Sequence, residues 1–146
     1  MISEEGAKAV SDLQVAVVVP CYNEEATVAK VVSDFQARLS EARIYVIDNN
    51  STDATARCAS AAGATVIGEK RQGKGYAIQR MFETIDADIY IMVDGDDTYP
   101  ANSARELLDP VYREEADMVV GQRLAVPRFH YVGNRLVRGS INMIWA

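Results

Sequence analysis

The sequence predicts an α/β fold, a mostly parallel sheet flanked by helices. Three observations carry that reading: short β-branched runs, segments with apolar residues at helical spacing, and the regular alternation of the two along 146 residues. Val15–Val19 is a continuous β-branched and small apolar run stopped by Pro20, the pattern of a parallel strand buried on both faces. Glu24 to Leu39 carries Val28, Val31, Val32, Phe35 and Leu39 on one helical face. Ile44–Ile47 is a second strand, closed by Asp48-Asn49-Asn50. Ser51 or Thr52 then caps a helix to about Ala62, with Gly63 as its terminating residue. Thr65–Ile67 is a third strand, Gly75 to about Ile85 a helix, and Asp88–Val93 a fourth strand. Ala101 to Glu115 is helical, and Met118–Val120 is a fifth strand. Strands separated by helices imply right-handed crossovers and hence parallel pairing.

Composition narrows the function classes. The chain is 49% hydrophobic and 25% charged, as an ordinary globular domain is. Fifteen Lys and Arg against 21 Asp and Glu give a net charge of −6, which argues against a broad nucleic-acid surface, so no nucleic-acid partner is expected. The charge is uneven: the first 122 residues carry −10, whereas residues 123–146 carry four arginines and no acid. Residues 1–13 are polar and read as a flexible N-terminus, residues 14–122 as the folded domain, and residues 123–146 as a basic, apolar segment. The start has neither the basic nor the apolar region of a secretory signal, and no apolar run reaches the ~20 residues of a membrane span. A cytoplasmic location is therefore expected, with at most peripheral contact at the inner face of a membrane. Cys21 and Cys58 are too few for a disulfide framework and read as small buried thiols.

In parallel sheets, ligands bind beyond the carboxyl ends of the strands, near the point where strand order reverses. Here those ends are followed by Pro20-Cys21-Tyr22-Asn23-Glu24-Glu25, by Asp48-Asn49-Asn50-Ser51-Thr52-Asp53, and by Asp94-Gly95-Asp96-Asp97-Thr98. Carboxylates gathered at one edge repel one another unless a cation neutralises them. Asp94 and Asp96 offer hard oxygens one residue apart, which suits Mg²⁺ or Mn²⁺ completed by phosphate oxygens and water. A hairpin turn is the plainer reading of Asp-Gly, but three carboxylates in four residues exceed what a turn requires.

Gly68-Glu69-Lys70-Arg71-Gln72-Gly73-Lys74-Gly75 comes close to a phosphate-binding P-loop, but Gly75 stands where a metal-binding Ser or Thr belongs. The segment still suits an anion. Arg71 and Lys74 supply charge, and Gly73 and Gly75 let backbone N–H groups approach at a helix N-terminus. A solvated basic turn is the competing reading.

Four segments in order resemble the inverting glycosyltransferases of family 2, which have the GT-A, Rossmann-like fold: Val17–Glu25, Val46–Thr55, Gly73–Ala77 and Val93–Asp97. The likeness is nearest to the dolichol-phosphate mannosyltransferase-like, or polyprenyl-phosphate glycosyltransferase, branch, which Gly133-Asn134-Arg135-Leu136 also resembles. The resemblance implies that Pro20, Tyr22, Asn23 and Glu24 form a first nucleotide-binding loop and that Asp48 contacts the base. Asn49-Asn50 replaces the more usual Asp-Gly beside it. Arg71, Gly73 and Lys74 would lie by the donor diphosphate. Asp94 and Asp96 match the family's DxD metal motif and would act in catalysis by holding Mg²⁺ or Mn²⁺ against that diphosphate. The implied reaction is metal-dependent, inverting transfer of a sugar from a UDP- or GDP-sugar to a polyprenyl phosphate.

Relatives of this type continue into an acceptor-binding half, so the chain is expected to represent the nucleotide-binding half only, as a truncated form. Two other readings stay open: a non-catalytic nucleotide-binding or assembly module, and a sugar-phosphate nucleotidylyltransferase. The latter would need a glycine-rich basic loop after the first strand, where Pro20–Glu24 stand instead. In the tail, Val132, Leu136, Val137, Ile141, Ile144 and Trp145 share one side. That side suits packing on the sheet, on a second copy of the chain as a homo-oligomer, or on a lipid surface.

Overall fold

The computed structural model describes residues 12–121. The readings placed on residues 1–11 and 122–146, including the tail helix, lie outside the described residues. Four strands, β1 (Val15–Cys21), β2 (Arg43–Asp48), β3 (Thr65–Gly68) and β4 (Ile89–Met92), form one sheet in the order β3-β2-β1-β4. Every pairing is parallel. The helices are α1 (Val28–Arg38), α2 (Thr55–Ala61), α3 (Lys74–Thr84) and α4 (Ala104–Tyr112), the last preceded by a 3-10 turn at Ala101–Ser103.

The alternation of side chains along β1 builds two cores. Val15, Val17, Val19 and Cys21 face Val28, Val32 and Phe35 of α1, Ala59 of α2 and Leu108 of α4. Ala16 and Val18 point the other way, onto Ala77 and Met81 of α3 and Ile85 after it. Every residue of β1 is buried, as its run of β-branched residues predicts for a strand covered on both faces.

Strand order reverses between β1 and β4, and Pro20 shows how the sheet opens there. The strand does not stop at Pro20 but runs through it, with Pro20 in register with Ile47 and Cys21 with Asp48. The Cys21 carbonyl accepts from the Asn49 N–H on the β2 side, and the Val18 carbonyl from the Val93 N–H on the β4 side. By alternation Pro20 faces the β4 side, where pairing ends at Val18 with Met92. Its missing N–H therefore costs no ladder bond, and the two strands part above it.

Several boundaries differ from the sequence expectations. Residues 25–27 form a turn before α1, with the Glu24 carbonyl accepting from the Thr27 and Val28 N–H groups. Neither Ser51 nor Thr52 caps α2, because Asn23 engages both; the Asp53 carboxylate takes the Thr55 N–H instead. Gly63 ends that helix with φ +98°, as expected. The fifth strand at Met118–Val120 does not form, and Met118 and Val120 are 78% and 76% exposed. Strand propensity there finds no partner strand among the described residues, and unpaired β-branched residues do not hold an extended ladder alone. Cys58 is half-buried rather than buried, and both cysteines are free thiols. No helix among the described residues is long and apolar enough to cross a membrane.

Candidate functional site

The parting of β1 and β4 leaves an open cleft of about 430 Å³ over the carboxyl ends of the strands. Pro20 lines it from the end of β1, Tyr22 and Glu24 from the loop that follows, Gly73 and Lys74 from the start of α3, and Asp94 and Asp96 from the turn after β4. Asn49, from the loop after β2, lines it as well, so four segments distant in sequence meet where the strand order reverses.

The first two loops are laced together by short side chains. Asn23 has φ +54°, a left-handed conformation that asparagine tolerates. Its N–H donates to Ser51 Oγ (3.0 Å), and its Oδ1 accepts the Thr52 N–H (2.9 Å). The Glu24 N–H donates to Thr55 Oγ1 (2.8 Å), and the Ala54 N–H to Glu25 Oε2 (2.8 Å). Asn23 therefore ties loop to loop and does not line the cleft.

At the acidic turn, Asp96 Oδ1 accepts from the Thr98 N–H (3.0 Å) and Thr98 hydroxyl (2.6 Å). Asp94 forms an ion pair with Lys74 across the cleft. Asp97 points elsewhere: with φ +59° it receives Lys30 of α1 (2.8 Å), which Asp34 shares (2.7 Å). Gly95 lets the turn sit directly on the first loop. A Cβ there would lie 2.6 Å from Cys21 Sγ and would also strike the Glu24 carboxylate.

The electrostatics of this corner are unbalanced toward the negative. Burial pushes the Glu24 carboxyl above its usual range; the Cys21 thiol contact opposes that, and Asp96 and Asp94 raise it further. Burial, followed by the charge of Glu24, likewise pushes the Cys21 thiol up, so it is an inert packing group. Glu24 Oε2 is buried with no hydrogen-bond partner among the described residues. Three carboxylates, from Glu24, Asp94 and Asp96, thus line a cleft to which Lys74 contributes the cation. Among the described residues no three His, Cys, Asp or Glu side chains are grouped so as to hold a metal by themselves. Such a site fits a hard divalent ion that takes its remaining ligands from phosphate and water.

Asp48 stands at the end of β2, outside the cleft lining, with Oδ1 buried and accepting no hydrogen bond from the described residues. Arg71 turns away from the cleft. Its guanidinium forks onto Glu69 (3.0 and 2.8 Å) and stacks 4.7 Å over the Tyr76 ring. The side-chain and backbone hydrogen bonds from Arg71 hold Glu69 down at about 2.

The sequence reading missed Asn49 as a site residue. It is only 4% exposed, its Nδ2 donates to the Arg71 carbonyl (2.7 Å) and the Glu69 carbonyl (3.3 Å), and its Oδ1 accepts the Gly73 N–H (2.7 Å). Gly73, at φ +136°, thus lines the cleft with its N–H already engaged. The N–H groups of Lys74 and Gly75 then open the helix. The only sequence signal was the amide itself, in a place where a carboxylate is more usual.

Comparison with known proteins gives the family and the fold. A family model described as Glycosyl transferase family 2 matches residues 16–138. Protein RfbJ of Shigella flexneri is 54% identical over 109 residues, covering 75% of this chain and 84% of RfbJ. A dolichyl-phosphate hexose transferase of Haloferax volcanii is 33% identical over 125 residues, covering 82% of this chain and 54% of that protein. Among solved structures, glucosyl-3-phosphoglycerate synthase from Mycobacterium tuberculosis, in complex with Mn²⁺, uridine-diphosphate-glucose and phosphoglyceric acid, superposes with a TM-score of 0.65 at 28% identity. That match covers 73% of this chain and 42% of the synthase. The chain thus spans most of RfbJ but about half or less of the other two. The four-stranded parallel sheet and its flanking helices are those of the GT-A fold.

Proposed function

The chain belongs to glycosyltransferase family 2, and we propose that it forms the donor site of a metal-dependent, inverting transferase that takes a sugar from a nucleoside diphosphate. The observation that carries this reading is the convergence of Glu24, Asp94 and Asp96 with Lys74 at the strand-order reversal. An uncompensated cluster of hard oxygens beside one cation accommodates a divalent ion and a diphosphate together better than either alone.

Asp94 and Asp96 would hold Mg²⁺ or Mn²⁺, and that ion would supply neutralisation of the charge developing on the leaving diphosphate. Asp96 is preset for this, because Thr98 holds its Oδ1 and so fixes the carboxylate plane. Lys74 and the first N–H groups of α3 would receive phosphate oxygens at a helix N-terminus. Pro20 and Tyr22 supply apolar walls for the nucleoside. The buried Asp48 Oδ1, which accepts no hydrogen bond from the described residues, suits an N–H donor of the base, such as the ring N–H of uracil or guanine. Arg71 acts from one step away, by bracing the loop that ends at Lys74.

The acceptor would be a polyprenyl phosphate, supported by the likeness to a dolichyl-phosphate hexose transferase. A phosphate is ionised at neutral pH and needs no general base to attack the anomeric carbon from the face opposite the diphosphate. Asp97 is bound to Lys30 and lies outside the cleft lining, so it is not placed to act as such a base.

Titration calorimetry with UDP-glucose and GDP-mannose, each with and without Mn²⁺, tests the reading. Mn²⁺-dependent binding of a UDP- or GDP-sugar is expected. No nucleotide binding by a chain shown to be folded would overturn it.

A further inference from the structure

The geometry points to Asn49 as the positioning residue of the glycine-lysine loop, acting through Gly73 and Lys74 and able to do so only as a neutral amide. The inference rests on the donor-site reading above and adds to it the device that sets the phosphate end of the site.

The loop from Glu69 to Gly73 has no regular structure of its own, yet it must deliver Lys74 to the cleft. Two internal ties, from the Arg71 N–H and guanidinium to Glu69, fold it on itself. Those ties do not fix where it stands relative to the sheet. The Glu69 N–H extends the ladder to the Asp48 carbonyl (2.9 Å), and beyond that point Asn49 takes over. Its backbone is pinned to β1 by donation from its N–H to the Cys21 carbonyl (2.9 Å). Its side chain then bridges the loop at both ends, donating to the Arg71 carbonyl and accepting from the Gly73 N–H, each at 2.7 Å. One buried residue thereby connects β1 through its backbone N–H to the loop and to the residue before Lys74 through its side chain.

The chemistry of these contacts demands an amide. A carboxylate at position 49 could still accept from Gly73, but its other oxygen would face the carbonyls of Arg71 and Glu69 with no proton between them. That juxtaposition is repulsive, and burial adds the cost of an unpaired charge. It would also set a further negative charge beside a cleft that already holds three carboxylates. An alanine removes both contacts without adding charge, so the two substitutions separate loop positioning from charge repulsion.

The test uses the 146-residue chain and its Asn49→Ala and Asn49→Asp variants. Melting temperature and circular dichroism establish folding, UDP affinity is measured in Mn²⁺ at pH 8 and pH 5.5, and hydrogen exchange is followed at the Gly73 amide. Asn49→Ala is expected to weaken UDP binding about tenfold and to speed Gly73 exchange by at least as much. Asn49→Asp is expected to bind at least as poorly at pH 8. Because burial and facing carbonyls raise a carboxyl pKa, its deficit relative to the original chain should shrink at pH 5.5, where a protonated carboxyl can again donate to the Arg71 carbonyl. Affinities within twofold of the original for both variants, with Gly73 exchange unchanged, would overturn the inference. Failure of the original chain to bind UDP would instead overturn the donor-site reading. Gly73 exchange in Asn49→Ala would then decide the clamp by itself: unchanged protection refutes it, and lost protection upholds it.

Discussion

Lys74, the first residue of α3, is ion-paired with Asp94, the first carboxylate of the turn after β4. The pair spans the cleft that opens where strand order reverses, so the cation and the acid are supplied by segments on opposite sides of the proposed diphosphate position. It offsets one of the three carboxylates around the cleft, and among the described residues neither Glu24 nor Asp96 forms an ion pair.

That arrangement predicts opposite responses when the cation is removed. Lys74→Met should lower UDP affinity about tenfold while leaving binding of Mn²⁺ alone unweakened, because Asp94 is released. Calorimetry with each ligand separately makes the comparison. Equal loss of both would mean that Lys74 serves to hold the turn rather than the phosphate.

Asp96→Asn should abolish the Mn²⁺-dependent part of donor binding, a loss exceeding the roughly 10–100-fold typical of residues behind a metal ligand. The amide can still accept from Thr98, so the melting temperature should barely move. Unchanged Mn²⁺ dependence in a folded variant removes the metal assignment from this turn.

Gly95 is expected to tolerate no side chain. In Gly95→Ala the new methyl would sit 2.6 Å from Cys21 Sγ, against the fully buried end of β1. Overpacking of this kind costs about 1–3 kcal/mol, read as a fall in thermal stability. Combining it with Cys21→Ala should recover part of the loss, and strict additivity in that double-mutant cycle would show that the two residues do not meet.

The Glu69–Arg71 fork makes a prediction in pH. Glu69 lies at about 2 in the fold against an ordinary value of 4.5. A depressed carboxyl contributes stability that is complete above its unfolded value and is lost as pH falls toward the folded one. The chain should therefore lose stability from this group between about 4.5 and 2, and Glu69→Gln should flatten that part of the acid limb. Acid denaturation curves that superpose for the two proteins would contradict the pairing.

Much of this was legible in the sequence because the signals were local. The β-branched run of β1, the apolar spacing of α1 and the acidic turn after β4 each report on their own surroundings. Met118–Val120 shows the limit: its residues favour a strand, but a strand needs a partner, and residue types do not say whether one is near. Pro20 shows another. It reads as a strand terminator, whereas its place beyond the last rung of β4 makes its lost N–H harmless. Asn23 and Arg71 were legible as polar loop residues, but the atoms they bind come from 28 residues away and from two residues away, respectively. Asn49 was the least legible, since its role rests on three hydrogen bonds to a loop that begins some 20 residues later.

The central claim, that the acidic turn and a diphosphate hold a metal jointly, is tested most directly by the electron paramagnetic resonance signal of free Mn²⁺. The account predicts that the chain alone removes little of that signal, and that chain and UDP together remove far more than UDP alone, an excess absent in Asp96→Asn. An equal signal with and without the folded chain in the presence of UDP would contradict it.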